Sequence, residues 1–207
     1  MSETSSVESA VKGVIAWTKE TGKEIGGVVA AAGVGNPAKI IDRHGEPFAQ
    51  KGFDFVMNIN VRGTVDLVRQ LLPAMSKNTP LEGTDGERGV VIMVSSVAAF
   101  DGQPGQVAYA ASKGAVRSMT LPMARDLAQY GIRVMTVAPG VFASKMTDVM
   151  PQKVKKSLEG VMQWPKRMGT AEEFAHLVRA IFENSMLNAE VIRLDGGIRM
   201  PAAFPKL

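Results

Sequence analysis

The sequence contains no cysteine. Disulfides, thiolate nucleophiles and cysteine-held metals are thereby excluded, and a reducing compartment is the simplest setting. Histidine is almost as scarce. His44 and His176 stand far apart with no second ligand type at metal spacing, so no metal site is expected. No apolar run reaches the length of about 18 residues that a membrane-spanning helix needs. Residues Met1 to Ala10 are polar and mildly acidic, unlike a secretory signal or a basic transit peptide. Charge of one sign is not concentrated either. Lys and Arg number 24 against 20 Asp and Glu, and among the positives only Lys153, Lys155 and Lys156 cluster. That cluster reads as a solvated helix face rather than a nucleic-acid patch. The small surplus would also suit an anionic small molecule. The expected partners are therefore a small molecule, with neither nucleic acid nor membrane.

What the chain does have is ordinary globular material: 207 residues, 45% hydrophobic and 21% charged. One domain over residues 1–207 is the expectation. Four short apolar runs read as strands: Gly27 to Ala32, Gly89 to Val94, Ile132 to Ala138 and Ala189 to Leu194. Their near-continuous apolar character implies cover on both faces, as in a parallel sheet. Between them lie helical stretches, Val7 to Glu20, Phe53 to Ser76, Val107 to Tyr130 and Ala171 to Glu183. Gly131 is a stop for the third, and Thr170 with Glu173 forms a capping pattern for the fourth. Alternating helix and strand predicts an α/β fold built from right-handed crossovers. Residues Asn78 to Arg88 are polar and turn-rich, and read as a surface loop.

Ser96, Tyr109 and Lys113 form the strongest chemical signal. Tyr109 and Lys113 are four apart in a helical segment and project from one face. Ser96 follows the strand Gly89 to Val94, at the edge where an open α/β sheet places its ligands. Free tyrosine has a pKa near 10, so only about one phenol in a thousand is ionised at neutral pH. An ammonium one turn away favours the phenolate, and Tyr109 is then expected to shuttle a proton to or from an alcohol oxygen that Ser96 orients. A YxxxK pair on a helix also arises by chance, with Tyr109 as an amphipathic helix residue and Lys113 as a solvated one. The surrounding sequence has to decide.

The run from Ser95 to Gly140, SSVAAFDGQPGQVAYAASKGAVRSMTLPMARDLAQYGIRVMTVAPG, resembles the active-site half of the short-chain dehydrogenase/reductase family. A Ser about a dozen residues before the YxxxK tyrosine, small residues at Ala110, Ala111, Ser112 and Gly114, and a Pro139-Gly140 turn after the next strand all match. The resemblance extends from about residue 4 to 200. SVAAFDGQPGQVAYAASKG and NAEVIRLDGGIRM look like the family's 3-hydroxyacyl-CoA (hydroxysteroid) dehydrogenase branch. It implies an NAD(P)-dependent interconversion of a secondary alcohol and a ketone on a 3-hydroxyacyl-CoA, steroid or polyketide-like substrate. It also implies roles for residues. Asn60, in NVRGT, becomes the fourth catalytic member, anchoring a water relay behind Lys113. Lys113 also holds the nicotinamide ribose. The cofactor, NAD or NADP, would touch Ala32, Gly33, Asn60, Tyr109, Lys113, Pro139, Gly140, Val141 and Ser144, the last standing where the family's PGxxxT turn has Thr. A homo-oligomer, dimer or tetramer, is implied through the helices bearing Asn60 and Tyr109. The cytoplasm is the expected compartment, or the mitochondrion where an N-terminal segment precedes.

The chain departs from that pattern in two places. The family's TGxxxGxG phosphate loop is not found, and the NNAG motif is replaced by Ala30-Ala31-Ala32-Gly33. The fold expected is thus a Rossmann-like, doubly wound parallel sheet lacking the first βαβα segment, roughly sixty residues at about thirty per unit. The strand Gly27 to Ala32 is then expected to be an open, apolar edge. Residues Phe142 to Trp164, with Met146, Met150 and Met162, read as an adaptable substrate loop or as an ordinary amphipathic helix. The competing functional reading is a catalytically impaired fragment that acts by associating with related subunits.

Overall fold

The computed structural model describes residues 3–148 and 152–202, and gives only the backbone of Met146, Lys153 and Val154. Met150 lies outside the described residues, as do the side chains of Met146 and Lys153. The element order is α1 (Thr4–Thr21), β1 (Gly27–Ala30), α2 (Gln50–Met57), α3 (Gly63–Met75), β2 (Gly89–Val94), α4 (Val107–Leu127), β3 (Ile132–Pro139), α5 (Lys145–Asp148), α6 (Gln152–Val161), α7 (Ala171–Glu183) and β4 (Val191–Leu194). The four strands form one sheet in the order β1-β2-β3-β4, every pair parallel. The register runs from Gly89 opposite Ile132 to Val94 opposite Val137, so β2 and β3 present their carboxyl ends side by side.

Alternation along β2 and β3 explains why both faces are covered. Val91, Met93, Ile132 and Val134 point into a core shared with α1, α3 and α4, including Val7, Val11, Val68, Leu71, Met75, Val116 and Leu127. Val90, Ile92, Met135 and Val137 point the other way, against Ile181, Phe174, Leu177 and Val178 of α7. Each interior side chain removed from water contributes on the order of 1.5–3 kcal/mol, so this two-sided burial is what specifies the sheet. The arrangement is the Rossmann-like, doubly wound one implied by the sequence. At the β1 edge the cover is incomplete: Val28 packs into the first core, whereas Val29 remains 38% exposed.

The helix boundaries follow local chemistry. Gly22 ends α1 at φ +64°, and Gly131 ends the short 3₁₀ turn after α4 at φ +68°, a backbone region that side chains with Cβ disfavour. Thr170 and Glu173 form the anticipated capping box: the Glu173 amide donates to Thr170 Oγ1 (3.3 Å) and the Thr170 amide to Glu173 Oε2 (2.8 Å). Two differences stand out. The stretch Phe53 to Ser76 is not one α-helix. It is α2 and α3 joined by a single π turn, Asn58–Arg62. The first strand ends at Ala30 rather than Ala32, and the chain then makes a long excursion closed by an antiparallel bridge between Ile41 and Pro47.

Candidate active site

Ser96, Tyr109 and Lys113 come together at the carboxyl end of the sheet. α4 carries Tyr109 and Lys113 one turn apart, and the Lys113 Nζ lies 5.8 Å from the centroid of the Tyr109 ring. Lys113 is buried, and its ammonium donates to the Val94 carbonyl, the last of β2, at 2.9 Å. Ser95 answers from the strand side, its hydroxyl donating to the Lys113 carbonyl at 2.8 Å. Helix and strand end are thus stitched in both directions. Ser96 is the N-cap of a 3₁₀ turn, Val97–Ala99, and its Oγ accepts from the Ala98 amide at 3.1 Å. The same hydroxyl is close enough to the Tyr109 phenol to favour its ionised form.

Asn60 sits inside the π turn, 1% exposed. A π turn displaces one residue from the α-helical ladder, and such turns recur at functional sites. Here the displaced side chain bridges three elements. Asn60 Oδ1 accepts from the Val34 amide (2.8 Å), and its Nδ2 donates to the Val34 carbonyl (2.9 Å) and to Ser112 Oγ (2.9 Å). Ser112 in turn donates to the Tyr109 carbonyl at 2.7 Å. The loop after β1 is thereby held against α4. Gly33 stands at that contact: a Cβ there would lie 3.1 Å from Lys113 Nζ and 3.3 Å from Asn60 Oδ1. Ala32, beside it, is exposed.

The turn after β3 approaches from the other side. Gly140 donates its amide to the Leu194 carbonyl at 2.9 Å, and a Cβ on it would collide with Asp195. Beyond Pro139, Gly140 and Val141, Ser144 is exposed, and its amide donates to the Thr147 hydroxyl at 2.8 Å. Thr147 is buried, with its hydroxyl 3.1 Å from the Phe142 carbonyl and 2.9 Å from that of Ser144. Sequence reading assigned the hydroxyl of this turn to Ser144, took Ser112 only as a small residue, and gave no role to Thr147 or Ser95. Met162 is core, buried with Val97 and Ile198. A cavity of about 280 Å³ opens behind the turn, lined by Val141, Phe142, Met162, Arg167, Glu173 and His176 among others, and by none of Ser96, Tyr109, Lys113 or Asn60.

The electrostatics correct one expectation. Burial pushes the Tyr109 phenol above its ordinary pKa, and the neighbouring Ser96 hydroxyl pulls it back only in part. The Lys113 ammonium does not bring it below, because that ammonium points at the Val94 carbonyl rather than at the phenol oxygen. Burial also holds the Lys113 pKa down, to about 8. Desolvation disfavours the charged form of each group. Near neutral pH Tyr109 is thus a phenol with a proton to give, and the Ser96 hydroxyl lies beside it. The arrangement suits protonation of a substrate oxygen held by two donors.

Comparison with known proteins shows what the chain is similar to. The sequence model of the short chain dehydrogenases matches residues 2–155. The chain is 44% identical over 194 residues to the 3-hydroxyacyl-CoA dehydrogenase type-2 of Bos taurus, an overlap covering 93% of this chain and 74% of that one. It is 51% identical over 148 residues to the protein of the same name from Drosophila melanogaster, covering 72% of this chain and 57% of that one. Among solved structures, the 3-hydroxyacyl-CoA dehydrogenase type-2 from Mycobacterium avium superposes with a TM-score of 0.87 at 32% identity, covering 98% of this chain and 76% of that one.

Proposed function

Since the chain belongs to the short-chain dehydrogenase/reductase family, we propose that it interconverts a secondary alcohol and a ketone with NAD or NADP, using Tyr109 as the acid/base. Ser96 orients the substrate oxygen, Lys113 would hold the nicotinamide ribose beside the phenol, and Asn60 holds the loop that faces them. The observation that carries this reading is the convergence of Ser96, at the turn after β2, with Tyr109 and Lys113 of α4, Lys113 being buried beside the phenol ring and bonded to the end of β2. A 3-hydroxyacyl-CoA or its 3-oxo counterpart is the favoured substrate, from the activity named for the relatives. Residues 1–207 are read as one Rossmann-fold unit.

The residues present fit the nicotinamide end of such a cofactor. Gly33 leaves no side chain between the loop after β1 and the pair Lys113 and Asn60, and a Cβ there would crowd both. Ala32, Gly33, Asn60, Tyr109 and Lys113 on one side, and Pro139, Gly140, Val141 and Ser144 on the other, are the groups that would hold it. When bound, the nicotinamide supplies or accepts the hydride. The chain's own groups handle the proton: in the reducing direction the Tyr109 hydroxyl gives its proton to the oxygen that Ser96 donates to, and in the oxidising direction it takes one back. The sequence carries no TGxxxGxG turn for the pyrophosphate.

Tyr109→Phe tests the proposal directly. Turnover of acetoacetyl-CoA with NADH is expected to fall by about 10²–10⁴-fold, with the melting temperature unchanged. Near-parental turnover would remove Tyr109 from the mechanism. A second reading, association with related subunits, draws support from the half-open β1 edge at Val29. A titration of NADH fluorescence separates the two, because only the first requires binding by this chain.

A further inference from the structure

Ser96 leaves β2 and is fixed on the near side of its turn by the buried Val97 and Ala98. It heads a three-residue 3₁₀ turn, a geometry with poor intrinsic stability. The turn continues into Phe100 and Asp101, whose amides both donate to the Val97 carbonyl at 2.9 Å. Whatever fixes those two side chains therefore fixes the turn and the hydroxyl at its head. Tyr109 and Lys113, by contrast, are set by α4. Correct spacing between hydroxyl and phenol also needs a device that fixes the far end of the turn, at Phe100 and Asp101.

We propose that Arg193 is that device: a positioning residue that, through Asp101 and Phe100, holds the Ser96 turn at its working distance from Tyr109. The inference rests on the reading of Ser96 and Tyr109 as a reacting pair. Arg193 lies in β4, opposite Ala138 of β3. Its NH2 donates to Asp101 Oδ2 (2.7 Å) and to the Ile198 carbonyl (2.9 Å), and its Nε to Asp195 Oδ2 (2.7 Å). Asp195 is itself fixed, its Oδ1 accepting from the Gly197 amide at 3.0 Å. The anchor is therefore the sheet and the turn that follows it. The Phe100 ring is the second contact. It is flanked by two guanidinium groups, Arg193 at 4.9 Å and Arg117 at 4.3 Å from its centroid. Arg117 is one turn beyond Lys113 on α4. Phe100 thus spans the gap between β4 and the helix bearing Tyr109, while Asp101 fixes the turn along the strand direction.

Charge balance makes the cluster durable. Arg193 and Arg199 face Asp101 and Asp195, and the Arg193–Asp101 pair is only about one-fifth exposed (18% and 21%). A partly desolvated guanidinium with three hydrogen bonds is geometrically exacting in a way that a lysine cannot reproduce. None of these groups reaches the reacting atoms, so their effect on chemistry passes through Ser96.

The test is a double-mutant cycle with acetoacetyl-CoA and NADH. Arg193→Met is expected to lower kcat by about 10- to 100-fold while the KM for NADH stays within about twofold. In a Ser96→Ala background the same substitution is expected to cost less than about twofold, because no hydroxyl remains to be misplaced. Asp101→Asn, a milder change, is expected to show a smaller loss with the same dependence on Ser96, and serves if the first variant folds poorly. Amide exchange of residues 97–101 is expected to accelerate about tenfold in Arg193→Met, with that of α4 unchanged. Equal losses in both backgrounds, or unaltered exchange at 97–101, would overturn the inference and leave the site reading standing. Near-parental turnover of both Ser96→Ala and Tyr109→Phe would sink the site reading and this inference together.

Discussion

Two sides of the sheet's carboxyl end are built to different standards. On the α4 side, Lys113, Asn60, Ser112 and Ser95 are all buried, and each has its polar atoms committed to backbone or to one another across elements. On the opposite side, the segment after Gly140 is held by backbone hydrogen bonds from Ala143 to Gly169 and from Gly169 to Val141 (both 2.9 Å), by the buried Thr147 hydroxyl, and by the ring of Phe142 edge-on to Phe174 at 6.0 Å. Trp164, at the segment's far end, is 80% exposed. The difference is instructive. Groups that move a proton need fixed geometry, since small displacements are costly. A segment that faces a bulky substrate needs room to move. If this contrast is functional, damage to the first side should appear in turnover and damage to the second in substrate affinity.

The largest effect should come from Lys113→Met. Turnover is expected to fall by about 10²–10³-fold, as for loss of a central electrostatic group. Stability supplies an independent readout. The Lys113 pKa falls from 10.5 to about 8 through burial. Below pH 8 the group is charged in both folded and unfolded chains, so the folded state bears the whole desolvation cost. Between 8 and 10.5 the unfolded chain binds more protons, and stability rises with pH. At about 1.4 kcal/mol per tenfold in the protonation equilibrium, the gain is roughly 3 kcal/mol. Urea unfolding from pH 7 to 10 should therefore show the parent gaining on the variant. A flat difference would mean that the ammonium is solvated and that the first side is looser than described.

Asn60→Ala comes next. It leaves the Val34 amide and carbonyl without their partner and removes the donor to Ser112 Oγ, which keeps its bond to the Tyr109 carbonyl. Leaving buried groups unpaired costs about 1–3 kcal/mol each at most, and relaxation reduces the sum, so a loss of about 2–3 kcal/mol is expected in urea unfolding. Turnover is expected to fall about tenfold at unchanged substrate KM. A change confined to KM would erase the contrast between the two sides.

Such effects show where the sequence was legible. β-Branched runs named four strands, and β2 was placed residue for residue, because its neighbours cover it on both faces. The α7 cap was readable because a capping box is local. Ser96, Tyr109 and Lys113 were readable because strand end and helix face fix them within one short segment. The rest depends on distant pairings. Asn60 reaches Val34 across 26 residues and Ser112 across 52, and Arg193 reaches Asp101 across 92. The π turn left no cue, since its residues keep ordinary right-handed backbone angles at both ends. The sign of the Tyr109 shift was misjudged for a related reason: spacing brought an ammonium near the phenol, but only the fold shows that it donates to Val94.

The smallest effect is the most discriminating. Thr147→Val preserves shape and removes the hydroxyl that the Ser144 amide donates to. The lost bond is worth about 1 kcal/mol, within the reach of local adjustment, so the melting temperature should move by only a few degrees. With acetoacetyl-CoA the expected outcome is a KM raised about three- to fivefold at unchanged kcat, because on the proposed reading this segment faces the substrate and loosens while Ser96 and Tyr109 keep their places. A fall in kcat of the size expected for Asn60→Ala would place Thr147 with the proton-handling groups. The boundary between the rigid and the adaptable side would then have to be redrawn through Ser144, the residue whose amide Thr147 holds.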